Sequence, residues 1–307
     1  MECPRWPYIV LAVLVGIILL LVISLIYAWV RIDSMISDIN ITPDPFQSVQ
    51  FPSSFTTSTP LAMFQVTVPA IMAMVNRALG QSLVLPGYFT DAVLLPNNYG
   101  FVARSPSPFP ATVILRGTLF AADYRTDLNY DQVEFYKYGN VHKGFAAVAD
   151  LLYQPIITQL QTIGVINGPI LIGGHSMGAS VSELLSVRLA ALGYQPTILL
   201  SARPNTGDFT WETNVLKMTT RYILVNISDD IPVLPLTTMP GKTTSLFVPY
   251  LNNYPNIIVF DYQAGTIGKN HNPRTYQASI TPGIAPAYPA IWSSPVEEMY
   301  TRCTSSG

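Results

Sequence analysis

Cysteine is scarce in this sequence of 307 residues, which contains only Cys3 and Cys303. The two stand at opposite ends of the chain, one of them before a long apolar segment, so no disulfide framework is implied. The sequence also lacks a C-x-x-C pair and a cluster of histidines and cysteines. We therefore expect no structural zinc and no other metal site.

Charge is scarce as well, because only 11% of the residues are charged and 16 basic residues face 18 acidic ones. The formal net charge is −2, and the sequence has no run of arginine or lysine. Nucleic acid is therefore excluded as an expected partner. No internal repeat interrupts the chain, so its length favours one large domain with a substantial core.

The longest apolar stretch runs from Tyr8 to Val30. Twenty-three residues can cross a hydrocarbon core of about 30 Å as a helix. A cleaved signal peptide is the alternative, but its apolar region is usually shorter and Ile26-Tyr27-Ala28 is a poor cleavage site. We therefore predict a short tail and transmembrane anchor over residues 1–30, which makes the protein single-pass.

The positive charges do not indicate the orientation of this span in the membrane, because one arginine stands on each side of it, Arg5 before and Arg31 after. The glycosylation sequence Asn40-Ile41-Thr42 slightly favours a lumenal or extracellular domain. Residues 31–60 are rich in Ser, Thr, Pro and Asp, and they predict an extended stalk.

Residues 61–307 are expected to form the folded domain. Helical patterns alternate there with short apolar runs that are typical of strands. This alternation favours a mainly parallel sheet with helices on both faces. Near its start, Pro69 predicts a break between two helices within residues 61–79. The fold class is therefore α/β, preceded by an N-terminal transmembrane helix.

A tight turn follows the apolar run Ile170-Leu171-Ile172. Gly174-His175-Ser176-Met177-Gly178 fits the pattern G-x-S-x-G, and a helical pattern follows from Val181. Strand, turn and helix form the context in which such a serine is exposed at the end of a sheet. Small residues on either side leave room for the turn, so Ser176 is the candidate nucleophile, and it needs a base.

The base is found by elimination, because the chain has three histidines. His142 precedes Ser176, and His175 belongs to the turn itself, with a side chain that must point away from the nucleophile. The order nucleophile, acid, histidine leaves His271, which lies in a loop after an apolar strand.

The acid must lie between Ser176 and His271. The candidates are Glu183, Asp208, Glu212, Asp229, Asp230 and Asp261. Asp229 and Asp230 follow the strand that usually carries this acid, while Asp261 shares a strand and loop with His271.

An oxyanion requires two backbone donors. The N–H of Met177, the residue after the nucleophile, is one of them. The other is expected in Arg116-Gly117-Thr118, which ends an earlier strand, and the hydroxyl of Thr118 could add a third donor.

Several of these segments together resemble the class 3 lipase family of fungal-type triacylglycerol lipases. The resemblance runs from about Leu61 to Tyr276, and the similar segments in chain order are 100–103, 113–118, 141–145, 174–178, 204–208 and 229–235. Asn205 stands where the family has arginine, and the family's usual disulfides are absent. The family's pattern also places the acid before Ile231, which points to Asp230.

The resemblance implies an α/β-hydrolase fold, a carboxyl-ester substrate and no cofactor. It also implies a lid within residues 119–140, where six aromatic side chains stand among charged ones. The expected function is a membrane-anchored, triacylglycerol lipase-like serine hydrolase that works through an acyl-enzyme. A phospholipase or small-ester esterase is the alternative enzyme, and a catalytically inactive membrane-anchored binding module is the alternative from another class.

Overall fold

The computed structural model describes residues 18–24, 26, 49–235 and 256–280. Residues 18–24 and 26 are helical and expose their apolar side chains. The rest of the predicted anchor and residues 31–48 of the predicted stalk lie outside the described residues, as does the sequence Asn40-Ile41-Thr42.

Helices and strands alternate along most of the described chain. In chain order they are α1 (Pro60–Ala78), β1 (Thr90–Leu94), β2 (Gly100–Arg104), β3 (Ala111–Leu115), α2 (Ala121–Asp127), β4 (Gln132–Glu134), β5 (Asn140–His142), α3 (Lys143–Thr162), β6 (Gly168–His175), α4 (Met177–Ala190), β7 (Tyr194–Ser201), α5 (Phe209–Met218), β8 (Thr220–Asn226), β9 (Ile257–Phe260), α6 (Ile267–Asn270) and α7 (Pro273–Ile280). Short 3-10 turns cover Pro96–Asn98 and Ile231–Val233.

Seven strands form one sheet in the order β1-β2-β3-β6-β7-β8-β9. The first three are antiparallel neighbours, and β3 to β9 pair in parallel. A separate hairpin joins β4 to β5. The predicted mainly parallel sheet is therefore confirmed, with an antiparallel edge.

Helices cover both faces of this sheet. Ile170 and Ile172 of β6 pack in one cluster with α3, α4 and α5, whereas Leu171 faces a second cluster with α1 and α7. Because side chains alternate along a strand, a strand buried on both faces is apolar throughout. The apolar run that ends at the predicted nucleophile is therefore central to the core.

The predicted break at Pro69 is wrong, because α1 is one continuous helix with Pro69 inside it. Twelve of its residues are buried in the core of the domain, and this packing outweighs the local cost of about 3 kcal/mol of an interior proline. Among the described residues, α1 is also the helix long and apolar enough to cross a membrane, but 67% of its most apolar stretch is buried inside the domain. Such burial is typical of a core helix.

Part of the predicted stalk packs on the domain. Phe51 and Phe55 lie against the cluster around α1, and the ring of Phe55 meets the rings of Tyr88 and Phe89 edge to face. The folded domain therefore includes residues upstream of the expected start at residue 61.

Two acidic and two basic side chains form a buried ion cluster that includes Glu183 of α4. Arg203 and Arg221 each pair with both Glu183 and Glu212, and all four are at most 3% exposed. Burial alone would raise the pKa of Glu183, but the two guanidinium groups lower it below its ordinary value. The cluster joins α4, the end of β7, α5 and β8 with no net charge.

Removing one charge from this cluster leaves a buried cation without compensation. We expect Glu183→Gln to lower the free energy of unfolding by about 3–5 kcal/mol. The matched control is Asp150→Asn, because Asp150 pairs with Arg188 at the surface and is 60% exposed. That control should cost about 1 kcal/mol or less. Urea titrations of both variants measure the difference, and equal losses would contradict the structural role of the cluster.

Candidate active site

Ser176 stands on the turn between β6 and α4. Its backbone has φ 55° and ψ −130°, a conformation that a residue with a side chain rarely adopts. A Cβ on Gly174 would collide with the carbonyl of Gly178, and one on Gly178 would collide with the carbonyl of Arg116. Because both glycines lack a side chain, the backbone segments at Gly174, Gly178 and Arg116 can pass close to one another. This close backbone crossing holds Ser176 in a strained conformation.

His271 follows the short helix α6 and meets Ser176. Its Nε2 lies 2.6 Å from the Oγ of Ser176, and its Nδ1 lies 2.8 Å from Oδ2 of Asp229. A carboxylate oxygen accepts hydrogen bonds, so Nδ1 carries the proton and Nε2 receives the O–H of Ser176. The structure therefore brings the predicted nucleophile and base together in the required order.

The acid beside His271 is Asp229, and the predicted residue Asp230 does not take this position. Asp229 is fully buried, whereas Asp230 is exposed at the start of a 3-10 turn. Adjacent residues at the end of a strand point in different directions, so only one of them can face the histidine. Burial and the neighbouring charge of Asp229 raise the pKa of Asp230.

Three contacts fix the carboxylate of Asp229. Its Oδ2 accepts the hydroxyl of Tyr276 at 2.7 Å in addition to His271, and its Oδ1 accepts the N–H of Ile231 at 3.0 Å. The sequence reasoning missed Tyr276, because nothing in the local pattern marks a tyrosine five residues after the histidine. Its hydroxyl helps to place a buried charge that would otherwise be costly.

The loop that carries the acid is tied to the loop that carries the base. The side-chain amide of Asn270 donates to the carbonyl of Ser228 at 2.6 Å, and that of Asn226 donates to the carbonyl of Tyr262 at 2.9 Å. These bonds connect the ends of β8 and β9 directly. The distance between Asp229 and His271 is therefore set by the ends of two paired strands.

His175 points away from the nucleophile, as the sequence predicted. It is buried, its Nε2 donates to the carbonyl of His271 at 2.8 Å, and its Nδ1 accepts the hydroxyl of Ser201 at 3.0 Å. Burial and the charge of His271 lower the pKa of His175, so it stays neutral. The neutral ring supports the backbone of the loop that carries His271.

The other acidic candidates have different partners. Glu183 and Glu212 belong to the buried ion cluster. Asp208 caps α5 by accepting the N–H of Trp211, and Asp261 accepts the hydroxyl of Ser228. None of these carboxylates is a hydrogen-bond partner of His271.

The predicted oxyanion residues lie on either side of Ser176. Met177 is the first residue of α4, where a backbone N–H has no partner within the helix. Gly117 packs against Ser176 so closely that a Cβ on it would stand 3.0 Å from the Cβ of the serine. Thr118 comes next, and its Oγ1 lies 2.6 Å from Oδ2 of Asp127.

Helix α2 begins three residues after Thr118 and is docked at both ends. At its start, Asp123 accepts the N–H groups of Leu119 and Phe120 and pairs with buried Arg116 at 2.7 Å. At its end, Nε2 of His142 hydrogen-bonds the carbonyl of Asp127 at 3.0 Å. The segment predicted to be a lid, residues 119–140, thus holds α2 and the β4–β5 hairpin.

Access to the site is narrow. Ser176 is 7% exposed and His271 is 9% exposed. Within the described ranges, no group of three or more His, Cys, Asp or Glu side chains is placed to bind a metal ion.

Residues 112–239 match the family described as Lipase (class 3). Three solved structures are similar over most of their length. An MDLA variant from Penicillium cyclopium is 16% identical with a TM-score of 0.53, and the match covers 69% of this chain and 83% of that one. Lip2 lipase from Yarrowia lipolytica is 15% identical with a TM-score of 0.51 and the same coverage of 69% and 83%. The mono- and diacylglycerol lipase from Aspergillus oryzae is 19% identical with a TM-score of 0.50, and the match covers 63% of this chain and 78% of that one.

At these identities the likeness establishes the fold alone, and the predicted α/β-hydrolase fold is confirmed. The family match supports hydrolysis of lipid esters by a lipase-type enzyme. The stretch that matches the class 3 lipase family, residues 112–239, includes both Ser176 and Asp229.

Proposed function

We propose that this protein is a serine hydrolase that cleaves carboxyl esters of lipids through an acyl-enzyme. The observation that carries the proposal is the continuous hydrogen-bonded chain from Ser176 through His271 to Asp229. A strained turn presents the serine, and a buried carboxylate orients the base. This arrangement is the working unit of a nucleophilic triad.

The reaction has two halves. In the first, Oγ of Ser176 attacks the ester carbonyl carbon while Nε2 of His271 takes the hydroxyl proton. The tetrahedral intermediate then collapses, the alcohol leaves with the proton from His271, and an acyl-enzyme remains. In the second half, water attacks the acyl group with His271 as base, and the fatty acid leaves.

Asp229 acts on the histidine throughout. A buried carboxylate holds the tautomer with a proton on Nδ1 and stabilises the imidazolium that forms in each transition state. The N–H of Met177 and a donor from Thr118 stabilise the oxyanion. No step of this mechanism calls for a metal or a cofactor.

The surroundings of the site favour an apolar substrate. Phe120 and Leu128 flank α2 with exposed fractions of 41% and 72%. Since the nucleophile is nearly covered, substrate entry requires movement, and we assign this movement to residues 119–140. A segment with apolar side chains at its ends can turn them toward lipid when it moves.

The triad does not determine which alcohol the substrate ester contains. A phospholipase or a small-ester esterase would therefore use the same chemistry. Hydrolysis of triacylglycerol, phospholipid and short-chain esters by the full chain would rank the three. We expect Ser176→Ala to abolish activity on every substrate. The control Ser186→Ala, on the same helix and bonded to the carbonyl of Glu183, should remain active. A Ser176→Ala variant that stays active would show that Ser176 is not the nucleophile, whereas an inactive wild type would favour a binding module.

The choice of acid is testable by a pair of neighbouring substitutions. Asp229→Asn should lower kcat by about four orders of magnitude, because the amide favours the wrong histidine tautomer. Asp230→Asn should stay within about tenfold of wild type, a barrier change of about 1.4 kcal/mol or less. Measuring kcat of both variants on one soluble ester decides between them, and the reverse ranking would return the acid to Asp230.

We also propose that residues 1–30 anchor the domain in a membrane through a stalk that begins at residue 31, with the catalytic domain on the lumenal or extracellular side. The support is the length of the apolar run and the exposed apolar side chains of residues 18–24. Alkaline carbonate extraction should leave the full-length chain in the membrane pellet. A soluble product that begins after residue 28 would instead show a cleaved signal peptide.

A further inference from the structure

Asn205 lies in the loop between β7 and α5 and holds part of another loop, the acid loop of residues 229–235. Asn205 is fully buried, and its backbone N–H donates to the carbonyl of Leu234 at 2.8 Å. Its side-chain Nδ2 donates to the carbonyls of Val233 and Pro235 at 3.1 and 3.0 Å. We call these three hydrogen bonds, which bind three consecutive carbonyls, the Asn205 clamp.

The orientation of the Asn205 amide follows from its partners. A carbonyl oxygen can only accept a hydrogen bond, so the nitrogen of the amide faces Val233 and Pro235. The amide oxygen is buried and has no hydrogen-bond partner among the described residues. A leucine of similar branched shape would avoid this unpaired acceptor, but it would leave the two carbonyls without their side-chain donor.

The loop that carries Asn205 is itself fixed on both sides of that residue. Before it, Arg203 belongs to the buried ion cluster. After it, the hydroxyl of Thr206 donates to that of Ser180 on α4 at 3.0 Å, and the carbonyl of Thr206 accepts the N–H of His142 at 2.9 Å. The Asn205 clamp therefore connects the acid loop to α4 and to the ion cluster.

A short path of hydrogen bonds connects the Asn205 clamp to the carboxylate of Asp229. The clamp holds the C-terminal end of the 3-10 turn Ile231–Val233. The N–H of Leu234 donates back to the carbonyl of Ile231 at 2.9 Å. The N–H of Ile231 donates in turn to Oδ1 of Asp229 at 3.0 Å. A shift of the clamped end of this turn therefore moves a hydrogen-bond donor of the carboxylate.

The same turn separates two neighbouring acids. Asp229 accepts the N–H of the first residue of the turn and is buried, whereas Asp230 directly precedes the turn and is exposed. Adjacent side chains point in different directions, so the place where the turn begins determines which carboxylate faces His271.

We propose that Asn205 is a positioning residue that holds this turn in place, so that the carboxylate of Asp229 and not that of Asp230 faces His271. Asn205 acts through the backbone of residues 231–235 and does not touch the substrate. The inference rests on the proposed function, because it needs Asp229 to orient the catalytic base.

The first test removes the side-chain donors of Asn205 in the full chain. We expect Asn205→Leu to lower kcat on a soluble ester by about 10²-fold, which is the loss that a misplacement of about 1 Å can cause. KM should be unchanged, because the orientation of His271 acts on the transition state and not on binding of the ester. The matched control is Asn214→Leu, since Asn214 donates to the carbonyl of Tyr138 in the β4–β5 hairpin at 2.9 Å. This control should keep the wild-type kcat.

A double substitution distinguishes positioning of Asp229 from an unrelated loss of activity. Asp229→Asn alone should lower kcat by about 10⁴-fold. Residues that act as one unit are non-additive, so Asn205→Leu combined with Asp229→Asn should be about as active as Asp229→Asn alone. Independent effects would instead multiply to a loss of about 10⁶-fold. A multiplied loss, or wild-type kcat in Asn205→Leu, would overturn the inference.

Proton NMR supplies a readout that does not depend on activity. The proton between Nδ1 of His271 and the carboxylate of Asp229 should give a downfield resonance in wild type, because it lies in a short hydrogen bond to a charged acceptor. We expect this resonance to shift or weaken in Asn205→Leu and to stay unchanged in Asn214→Leu. The smaller variant Asn205→Ala provides the same comparison if leucine prevents folding.

An unchanged resonance in a folded Asn205 variant would overturn the inference even if Ser176 were shown to be the nucleophile. Loss of folding in both Asn205 variants would also overturn it, because Asn205 would then stabilise the whole domain and not position one carboxylate. Wild type without esterase activity would instead contradict the proposed function, while the resonance would still report whether Asn205 positions Asp229.

Discussion

The close crossing of backbone at the turn between β6 and α4 is the constraint on which the site depends. Gly174 and Gly178 leave no room for a side chain, and the carbonyls of Gly178 and Arg116 fill that space. The crossing forces Ser176 to a positive φ and points its hydroxyl past the end of the sheet. It also brings β3, which leads to Thr118, beside the nucleophile. One backbone contact thus places both the serine and the start of the oxyanion segment.

The remaining catalytic groups are placed by neighbouring parallel strands. β8 leads to Asp229 and β9 leads to the loop of His271, and these strands pair directly. Their carboxyl ends lie at the same edge of the sheet as Ser176. The hydrogen bonds of Asn226 and Asn270 then hold the two loops at a fixed separation. The buried ion cluster performs a similar task behind the site, where it joins α4 to α5 and β8.

The sequence was informative where local chemistry restricts the choice. The turn around Ser176 needs small residues at fixed places, and His271 is the one histidine that follows it in the chain. Both could therefore be named as candidates, and the structure places them 2.6 Å apart. The acid was predicted to be Asp230, but the structure places Asp229 beside His271, because the two residues share a position in the pattern and differ only in direction. That direction depends on where β8 ends and on how the 3-10 turn at Ile231 begins.

Other features depended on packing that no local pattern shows. Pro69 stays inside a helix because the sheet buries that helix, and Tyr276 reaches Asp229 only after α7 has packed beneath the site. The contact between Asp127 and Thr118 likewise depends on the docking of α2 against His142. Residues 119–140 were expected to be a lid from their composition, but composition could not reveal that both ends of α2 are tied to buried groups.

The most direct test of the central claim is labelling of the folded full-length chain with a fluorophosphonate, followed by peptide mass spectrometry. The probe reacts only with a serine activated by a base. We predict one adduct on Ser176, formed rapidly in wild type and very slowly after His271→Ala. An unlabelled Ser176 in folded protein, or labelling that does not depend on His271, would contradict the proposed triad.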